Sequence, residues 1–273
     1  MNGILLVDKP SGMTSHDVVD RVRKAAKMRR IGHTGTLDPA ATGLLILCLG
    51  NATRLSEFLT GLDKVYEGAM RFGVVTDSYD FDGKVVEERP VPALTPNQIQ
   101  EAFKEFTGEI LQVPPMVSAV KVGGERLYKL ARKGETVERE PRKVHVKEFT
   151  LLSYHEPDAA FRVRCTRGTY ARTLCYDVGE KLGCGATLAS LRRTAVGKHT
   201  IDNAKPLDAL QTPDDVAAAL LPVNDALELP VVCVRNASKN TVATGGVLER
   251  HDLRGDCPAA KGWVQVKAEN GEL

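Results

Sequence analysis

The sequence has no long apolar segment, no secretory leader and no regular spacing among its six cysteines. The longest apolar stretch, AATGLLILCLG, is too short to cross a bilayer. MNGILLVDKPSG has no basic region ahead of an apolar one, so no signal peptide is expected. The cysteines form no Cys-x-x-Cys pair, which favours reduced thiols over a zinc site or a disulfide framework. We therefore expect a cytoplasmic protein without a membrane partner.

Motifs for nucleotide cofactors and metals are also missing. There is no GxxxxGK[ST], no GxGxxG and no HExxH-type pair among the six histidines. The acidic stretch TDSYDFDG (76–83) offers Asp77, Asp80 and Asp82 as possible Mg²⁺ ligands, but clustered loop acids are more often the solvated side chains of a hairpin. We expect no cofactor and no metal, and a metal-dependent RNA hydrolase is kept only as a remote alternative.

The net charge of +2 conceals a segregation of charge along the chain. Basic residues dominate RVRKAAKMRR (21–30), the stretch 121–147 and RVRCTRGTYAR (162–172), whereas acidic residues collect in 76–83 and 202–228. A single run of this kind is usually a solvated face, but three separate basic runs predict a basic surface on a nearly neutral protein. Such a surface suits a polyanion such as nucleic acid.

Apolar periodicity predicts alternating strands and helices in the first part of the chain. GILLVDKPSG is typical of a strand followed by a turn, and Thr14 or Ser15 is placed to cap the next helix. KVYEGAMRFG (64–73) alternates as a strand, and the Asp-Gly turn in FDGKVV predicts a hairpin. Thr95-Pro96 opens another helix.

The later segments predict an insertion and a second domain. Residues 112–143 are basic, rich in Gly and Pro and weakly periodic, which favours a mobile insertion with a short helix near 126–132. AAFRVRCTRGT predicts a strand, and YARTLCYDVGEKLG predicts a helix that ends at Gly183. LLPVNDALELPVV is typical of a linker, so we expect one domain over residues 1–228 and a small β domain over 229–273.

The stretch GHTGTLDPAATGLLILCLG (32–50) places one carboxylate, Asp38, before an apolar run. Asp38 followed by Pro39 fits a helix N-cap with proline at the first helical position. Two glycines around His33 indicate instead a backbone held close to a ligand. The interpretations are compatible, because a helix dipole would keep the carboxylate ionised, as a nucleophile requires. We expect Asp38 to begin a helix and also to act as a nucleophile.

Six segments, in order along the chain, together resemble one protein family. GHTGTLDPAATGLL is similar to its signature, and LLVDKPSGMTSHDVV to its N-terminal motif. KVYEGAMRFG with TDSYDFDG resembles its Lys-x-Tyr strand and acidic hairpin, and PPMVSAVKVGGERLYKLARKG its tRNA-gripping insertion. CTRGTYARTLCYDVG resembles its arginine motif and LRRTAVG its late leucine motif. This family is the TruB-type tRNA pseudouridine synthases, which isomerise uridine 55 in the T loop of tRNA.

The resemblance implies a fold. The class would be α+β, with a mixed, mainly antiparallel central sheet flanked by helices. The tail from Leu229 resembles the start of a small β PUA-like RNA-binding domain, but it stops at ENGEL, where another strand is expected. The resemblance thus predicts a second, PUA-like domain and leaves open whether that domain is complete at its end.

The resemblance also implies roles for individual residues. Asp38 matches the catalytic aspartate, Tyr66 the tyrosine that stacks on the target base, and Arg172 the arginine that pairs with the aspartate. The remaining matches concern the pocket and the RNA: Leu191 as an apolar wall of the base pocket, His33 as the filler of the place left by the flipped nucleotide, Lys9 and Pro10 as supports of the catalytic loop, and Lys64, Lys121 and Arg132 as RNA-contacting cations.

Elementary chemistry agrees with these roles. Turning an N-glycoside into a C-glycoside needs no redox change. The target base must leave its stack to be reached, an aromatic ring can support it, and a nearby arginine lowers the pKa of the attacking carboxylate. Attack would fall at C1′ of the ribose or at C6 of the base. We expect a monomeric enzyme acting on the tRNA T-stem loop; the alternative is a non-catalytic tRNA-binding protein or tRNA-folding chaperone.

Overall fold

The computed structural model describes residues 1–118, 120–135, 137–255 and 262–269. The chain divides into two compact units, a first unit of residues 1–221 and a second unit of residues 222–273. The division falls earlier in the chain than the boundary at residue 228 expected from the sequence. Over the described residues, no helix combines the length and the apolar character needed to span a membrane.

Over its described residues, the first unit contains fourteen strands, most of which belong to one sheet. They are β1 (Gly3–Lys9), β2 (Ile31–His33), β3 (Thr42–Leu49), β4 (Lys64–Phe72), β5 (Val74–Thr76), β6 (Val85–Glu88), β7 (Gly108–Gln112), β8 (Lys121–Val122), β9 (Glu125–Arg126), β10 (Arg142–His155), β11 (Asp158–Cys165), β12 (Ala186–Val196), β13 (His199–Thr200) and β14 (Lys205–Pro206).

The main sheet has the order β14-β1-β3-β12-β4-β11-β10-β7, with β2 also pairing with β3 and β13 with β12. All pairings in it are antiparallel except β1–β14 and β3–β12. Two hairpins, β5–β6 and β8–β9, lie outside this sheet. The predicted mixed, mainly antiparallel sheet is confirmed.

Six α-helices accompany these strands in the part of the chain that the structure describes. They are α1 (Ser15–Ala26), α2 (Ser56–Gly61), α3 (Pro96–Glu105), α4 (Leu127–Arg132), α5 (Ala171–Lys181) and α6 (Pro213–Ala218). The Thr14 hydroxyl accepts from the Asp17 N–H at 3.1 Å, and the Asp17 carboxylate accepts from the Thr14 N–H at 2.8 Å. This reciprocal cap fixes the start of α1 where the sequence predicted it. Thr95 and Gln98 cap α3 in the same way.

The apolar run after Asp38 is a strand, so the helix expected to begin at Asp38 is wrong. The Ala41 N–H donates to the Asp38 carbonyl at 3.1 Å, which closes a tight turn around Pro39. Thr42–Leu49 then forms β3, of which every residue from Gly43 onward is buried. A continuous apolar run is typical of a strand covered on both faces, and its length does not distinguish it from a buried helix. Asp38 therefore does not lie at the start of a helix of its own, and the helix dipole expected from the sequence is not present.

Two hydrophobic clusters lie along the main sheet. One joins β1 and β3 to α1 and α6, and the other joins β4, β10, β11 and β12 to α3 and α5. The sheet is continuous between them through the parallel β3–β12 pairing, in which Thr42 lies opposite Arg192 and Gly43 opposite Arg193. We call this pairing the seam, and the candidate site lies beside it.

The second unit contains a small three-stranded sheet and one helix in its described part. The elements are β15 (Val231–Val234), α7 (Lys239–Ala243), β16 (Leu253–Arg254) and β17 (Gln265–Ala268), with strand order β16-β15-β17. β15 is antiparallel to β16 and parallel to β17. The end whose completeness the sequence leaves open falls on residues 270–273, which lie outside the described residues. The PUA-like character of this unit stays a prediction.

The geometry of the seam predicts that alanine substitutions at two glycines of the same motif differ sharply in their effect on stability. Gly43 has φ +101°, and a Cβ there would overlap the Arg193 carbonyl oxygen, whereas a Cβ on Gly32 would meet no atom within 4 Å. Gly43→Ala should lower the free energy of unfolding by more than about 2 kcal/mol, because the seam must open. Gly32→Ala should stay within about 0.5 kcal/mol of the parent. Urea unfolding measures both, and equal stability of the two variants would contradict the seam geometry.

Candidate active site

Five of the residues singled out from the sequence line one cavity of about 260 Å³ beside the seam: Asp38, Lys64, Tyr66, Arg172 and Leu191. Asp38 lies in the turn between β2 and β3, and Tyr66 lies in β4. Leu191 lies in β12 and Arg172 in the first turn of α5. Asp38 comes from one side of the seam, whereas Tyr66, Leu191 and Arg172 come from the other side, where β4 and β12 pair directly. The seam thus brings the carboxylate to these three residues.

The turn that holds Asp38 is fixed by the connection between β1 and α1. Lys9 Nζ donates to the carbonyls of Pro10, Met13 and Pro39 at 2.9, 2.6 and 3.1 Å. On the other side, the Leu37 N–H donates to Ser15 Oγ at 2.8 Å. Lys9 is fully buried, and burial lowers its pKa to about 8. Its position suits the support of the loop and leaves no surface for direct contact with RNA.

Arg172 connects Asp38 to two other segments. Only 4% of its side chain is exposed. Nε lies 3.1 Å from Asp38 Oδ2, and Nη1 lies 3.3 Å from Asp80 Oδ2. Nη1 also donates to the Ser78 carbonyl at 3.0 Å, and Nη2 to the Val117 carbonyl at 2.8 Å. One buried guanidinium thereby holds the Asp38 turn, the β5–β6 hairpin loop and the start of the insertion together.

The electrostatics of Asp38 differ from those expected. Burial raises the pKa of Asp38, the Arg172 guanidinium opposes that rise, and the Asp80 and Asp82 carboxylates add to it. The sequence correctly suggested an arginine that lowers this pKa, but burial outweighs it. The side chain is nevertheless 42% exposed, so the carboxylate faces the cavity and is accessible to a ligand.

Tyr66 and Lys64 lie on β4, and a second buried arginine, Arg193, acts electrostatically on both. Arg193 lies opposite Tyr66 in the β4–β12 register, and it donates to the carbonyls of Leu44 at 2.7 Å and Gly35 at 3.1 Å. Burial raises the pKa of Tyr66, with a hydrogen bond from Arg193 opposing the rise. Burial, with Arg193 nearby, lowers the pKa of Lys64 to about 8. The phenol therefore stays neutral at physiological pH.

The structure does not place the other predicted RNA-contacting residues at an exposed surface of the cavity. His33 ends β2, outside the lining of the cavity, and its Nδ1 has no hydrogen-bond partner among the described residues. Burial lowers the pKa of His33, and Arg193 and His16 add to the effect. Lys64 Nζ is buried and donates to the carbonyls of Thr60 and Leu62. Lys121 and Arg132 belong to β8 and α4, but their side chains lie outside the described residues.

Sequence reasoning missed the roles of Asp80 and Arg193. Asp80 was considered only as a metal ligand, yet it is an ion partner of Arg172. No group of three or more metal-ligating side chains occurs in the described part of the chain. Arg193 was passed over because a basic pair in LRRTAVG normally indicates surface charge, whereas Arg193 is buried and lines the cavity. Only the apolar residues flanking that pair hinted at a buried strand.

Comparison with known families identifies the chain. The family model described as TruB family pseudouridylate synthase (N terminal domain) matches residues 23–171. A second model, described as tRNA pseudouridylate synthase B C-terminal domain, matches residues 172–228. The chain belongs to the TruB family of pseudouridylate synthases. The matches include Asp38, Tyr66, Arg172 and Leu191, and the resemblance noted in the sequence is confirmed.

Individual TruB relatives match over most of their length. A tRNA pseudouridine synthase B of Opitutus terrae is 52% identical over 228 residues, which cover 83% of this chain and 95% of the relative. One of Solibacter usitatus is 44% identical and covers 100% of this chain and 94% of the relative. Among solved structures, a Cbf5-Nop10-Gar1 complex matches with a TM-score of 0.74 and 28% identity, covering 99% of this chain and 76% of that one. This TruB chain is therefore an enzyme, a pseudouridine synthase.

The carboxylates of the acidic hairpin should have a measurable effect on the pKa of Asp38. Asp82→Asn should lower the pKa of Asp38, because it removes a nearby negative charge and leaves the Arg172 contacts in place. If Asp38 must be ionised to react, the Asp82→Asn enzyme should keep its activity to a lower pH than the parent enzyme. A ¹³C carboxyl NMR titration measures the shift. Asp77→Asn, in the same hairpin but without influence on Asp38, serves as the control, and equal shifts in both variants would contradict the assignment.

Proposed function

We propose that this enzyme isomerises the uridine at position 55 in the T loop of tRNA, with Asp38 as the nucleophile. Membership of the TruB family and relatives named tRNA pseudouridine synthase B support tRNA as the substrate. The observation that supports the mechanism is the single cavity that joins a carboxylate, an aromatic ring, an apolar wall and a buried guanidinium. An enzyme that captures a flipped pyrimidine and attacks it would require these groups.

In this mechanism the target base leaves its stack and enters the cavity against Tyr66, with Leu191 forming the adjoining wall. The Asp38 carboxylate adds to the nucleotide, at C1′ or at C6. The C1′–N1 bond breaks, the base turns, and a C1′–C5 bond forms. The bond to Asp38 also breaks, either as C5 displaces the carboxylate from C1′ or as the carboxylate leaves C6, so that Asp38 is returned as a free carboxylate. C5 then loses its proton and N1 gains one. Atoms and electrons balance without a cofactor. Arg172 favours the ionised carboxylate and holds its oxygens in place.

The surroundings of the cavity suit an RNA strand. Arg167 is exposed at its lining and lies in the 166–170 loop before α5, where its guanidinium would meet a phosphate. A larger groove of about 760 Å³ adjoins the cavity and shares Asp38 and Leu191 with it. We infer that the RNA flanking the target nucleotide lies in this groove.

We also infer that a monomer of the enzyme suffices for activity. The enzyme would act in the cytoplasm, where its tRNA substrates would be found.

Replacing the proposed nucleophile tests the proposal. Asp38→Asn should lower the rate of pseudouridine formation by at least about 10⁴-fold. It should not weaken tRNA binding, because it removes a negative charge from a site that approaches a polyanion. Pseudouridine mapping on an unmodified tRNA transcript, with a binding titration alongside, measures both. Asp214→Asn, an exposed aspartate of α6, is the matched control.

The outcomes separate the alternatives. Product from Asp38→Asn at the parent rate would overturn the nucleophile. Product at a site other than position 55 would overturn the choice of uridine. A parent protein that binds the transcript but yields no pseudouridine on it would favour the non-catalytic tRNA-binding or folding role.

A further inference from the structure

Ser118 presents an unsatisfied hydroxyl at the proposed catalytic cavity. The residue is only 6% exposed and lines the 260 Å³ cavity with Asp38 and Arg172. Its Oγ is buried and has no hydrogen-bond partner among the described residues. A buried polar group without a partner costs about 1–3 kcal/mol, so most such groups are paired in folded proteins. An unpaired hydroxyl at a ligand cavity indicates a partner that arrives with the ligand.

The other buried polar groups of the cavity are already engaged by the protein. Arg172 binds two carboxylates and two carbonyls. Arg193 donates to two carbonyls and lies against Tyr66. The Lys64 ammonium donates to two more carbonyls. Among the described residues that line the cavity, Ser118 Oγ is the one buried side-chain polar atom with no partner.

The position of Ser118 is fixed by the same arginine that binds the nucleophile. Arg172 Nη2 donates to the carbonyl of Val117, the residue before Ser118. The Ser118 N–H donates to the Met116 carbonyl at 3.0 Å, which folds the backbone into a turn. The hydroxyl is therefore held in a defined place relative to Asp38. A preorganised donor of this kind loses little entropy when it binds a ligand.

A flipped uracil supplies the missing partner. Its two faces are covered by groups such as Tyr66 and Leu191, but its polar edge has two carbonyl oxygens and one imide N–H that lose their water inside the cavity. We propose that Ser118 Oγ–H donates a hydrogen bond to a carbonyl oxygen of the flipped uracil and positions the base for attack. This inference rests on the proposed function and assigns Ser118 as a further substrate-contacting residue of that site.

The first test separates substrate binding from folding. Ser118→Ala should lower kcat/KM for an unmodified tRNA transcript about 3- to 10-fold, as expected for one lost neutral hydrogen bond. It should not lower the thermal unfolding temperature, because the free enzyme loses an unsatisfied hydroxyl. Tyr154→Phe is the matched control: its hydroxyl is also buried and unpartnered among the described residues, but it does not line the cavity. Its kcat/KM should equal that of the parent.

The second test identifies the contact by changing the RNA. A synthetic T-arm RNA is prepared with 2-thiouridine or 4-thiouridine at the target position. Sulfur is the weaker acceptor, so one of these substrates should react more slowly than uridine with the parent enzyme. That difference should disappear in Ser118→Ala, because the variant makes no bond to the replaced oxygen.

Each result has one meaning. A parent enzyme that forms pseudouridine while Ser118→Ala retains full kcat/KM overturns the role of Ser118 and leaves the proposed function intact. Thio effects of equal size in parent and variant would show that Ser118 makes no contact with the base. A loss of kcat/KM accompanied by a lower unfolding temperature would assign Ser118 a structural role instead. A parent without any product overturns the proposed function itself.

Discussion

The buried guanidinium of Arg172 is the interaction on which the site depends. A buried charge is tolerated only when it is paired and its remaining donors are satisfied. Arg172 meets that condition with Asp38, Asp80 and the carbonyls of Ser78 and Val117. These partners belong to three segments that are distant in sequence and do not form one secondary structure. The requirement to satisfy one cation therefore brings together the proposed nucleophile, the acidic hairpin and the start of the insertion.

The ionisation of the Asp38 carboxylate results from opposing effects of its surroundings. Burial disfavours the carboxylate, and the neighbouring carboxylates of the hairpin disfavour it further, while Arg172 favours it. In a site with Arg172 and without the hairpin carboxylates, the pKa of Asp38 would be lower. Asp80 shares the Arg172 guanidinium with Asp38. This sharing weakens the attraction between Arg172 and Asp38, but Asp38 keeps a positively charged partner. The acidic hairpin is thus an electrostatic component of the site, which explains why acids lie so close to a surface proposed to bind RNA.

The sequence predicted those elements whose determinants are local. Thr14 with Asp17, and Thr95 with Gln98, cap their helices through contacts three residues apart, and the alternation in β4 depends on that strand alone. The helix at Asp38 was wrong because Asp-Pro fits a helix start and a tight turn equally well, and the apolar run of β3 has no period. Asp80 and Arg193 were missed because their roles depend on partners from distant parts of the chain. Asp38 was proposed as a nucleophile from its local sequence, whereas the roles of Tyr66 and Arg172 came from the family resemblance, and the fold explains why the three residues meet.

Two buried lysines show how the site uses positive charge. Lys9 was expected to support the catalytic loop and Lys64 to contact the RNA, and each donates to backbone carbonyls beside the cavity. Their folded pKa of about 8 lies below the ordinary value of 10.5. The folded state therefore binds fewer protons than the unfolded state between these values, so stability rises with pH across that window and the cost of the buried charge is present in full below it. At neutral pH both ammonium groups are retained at a cost, because the carbonyls of the Asp38 turn and of the segment before β4 need donors that solvent cannot replace.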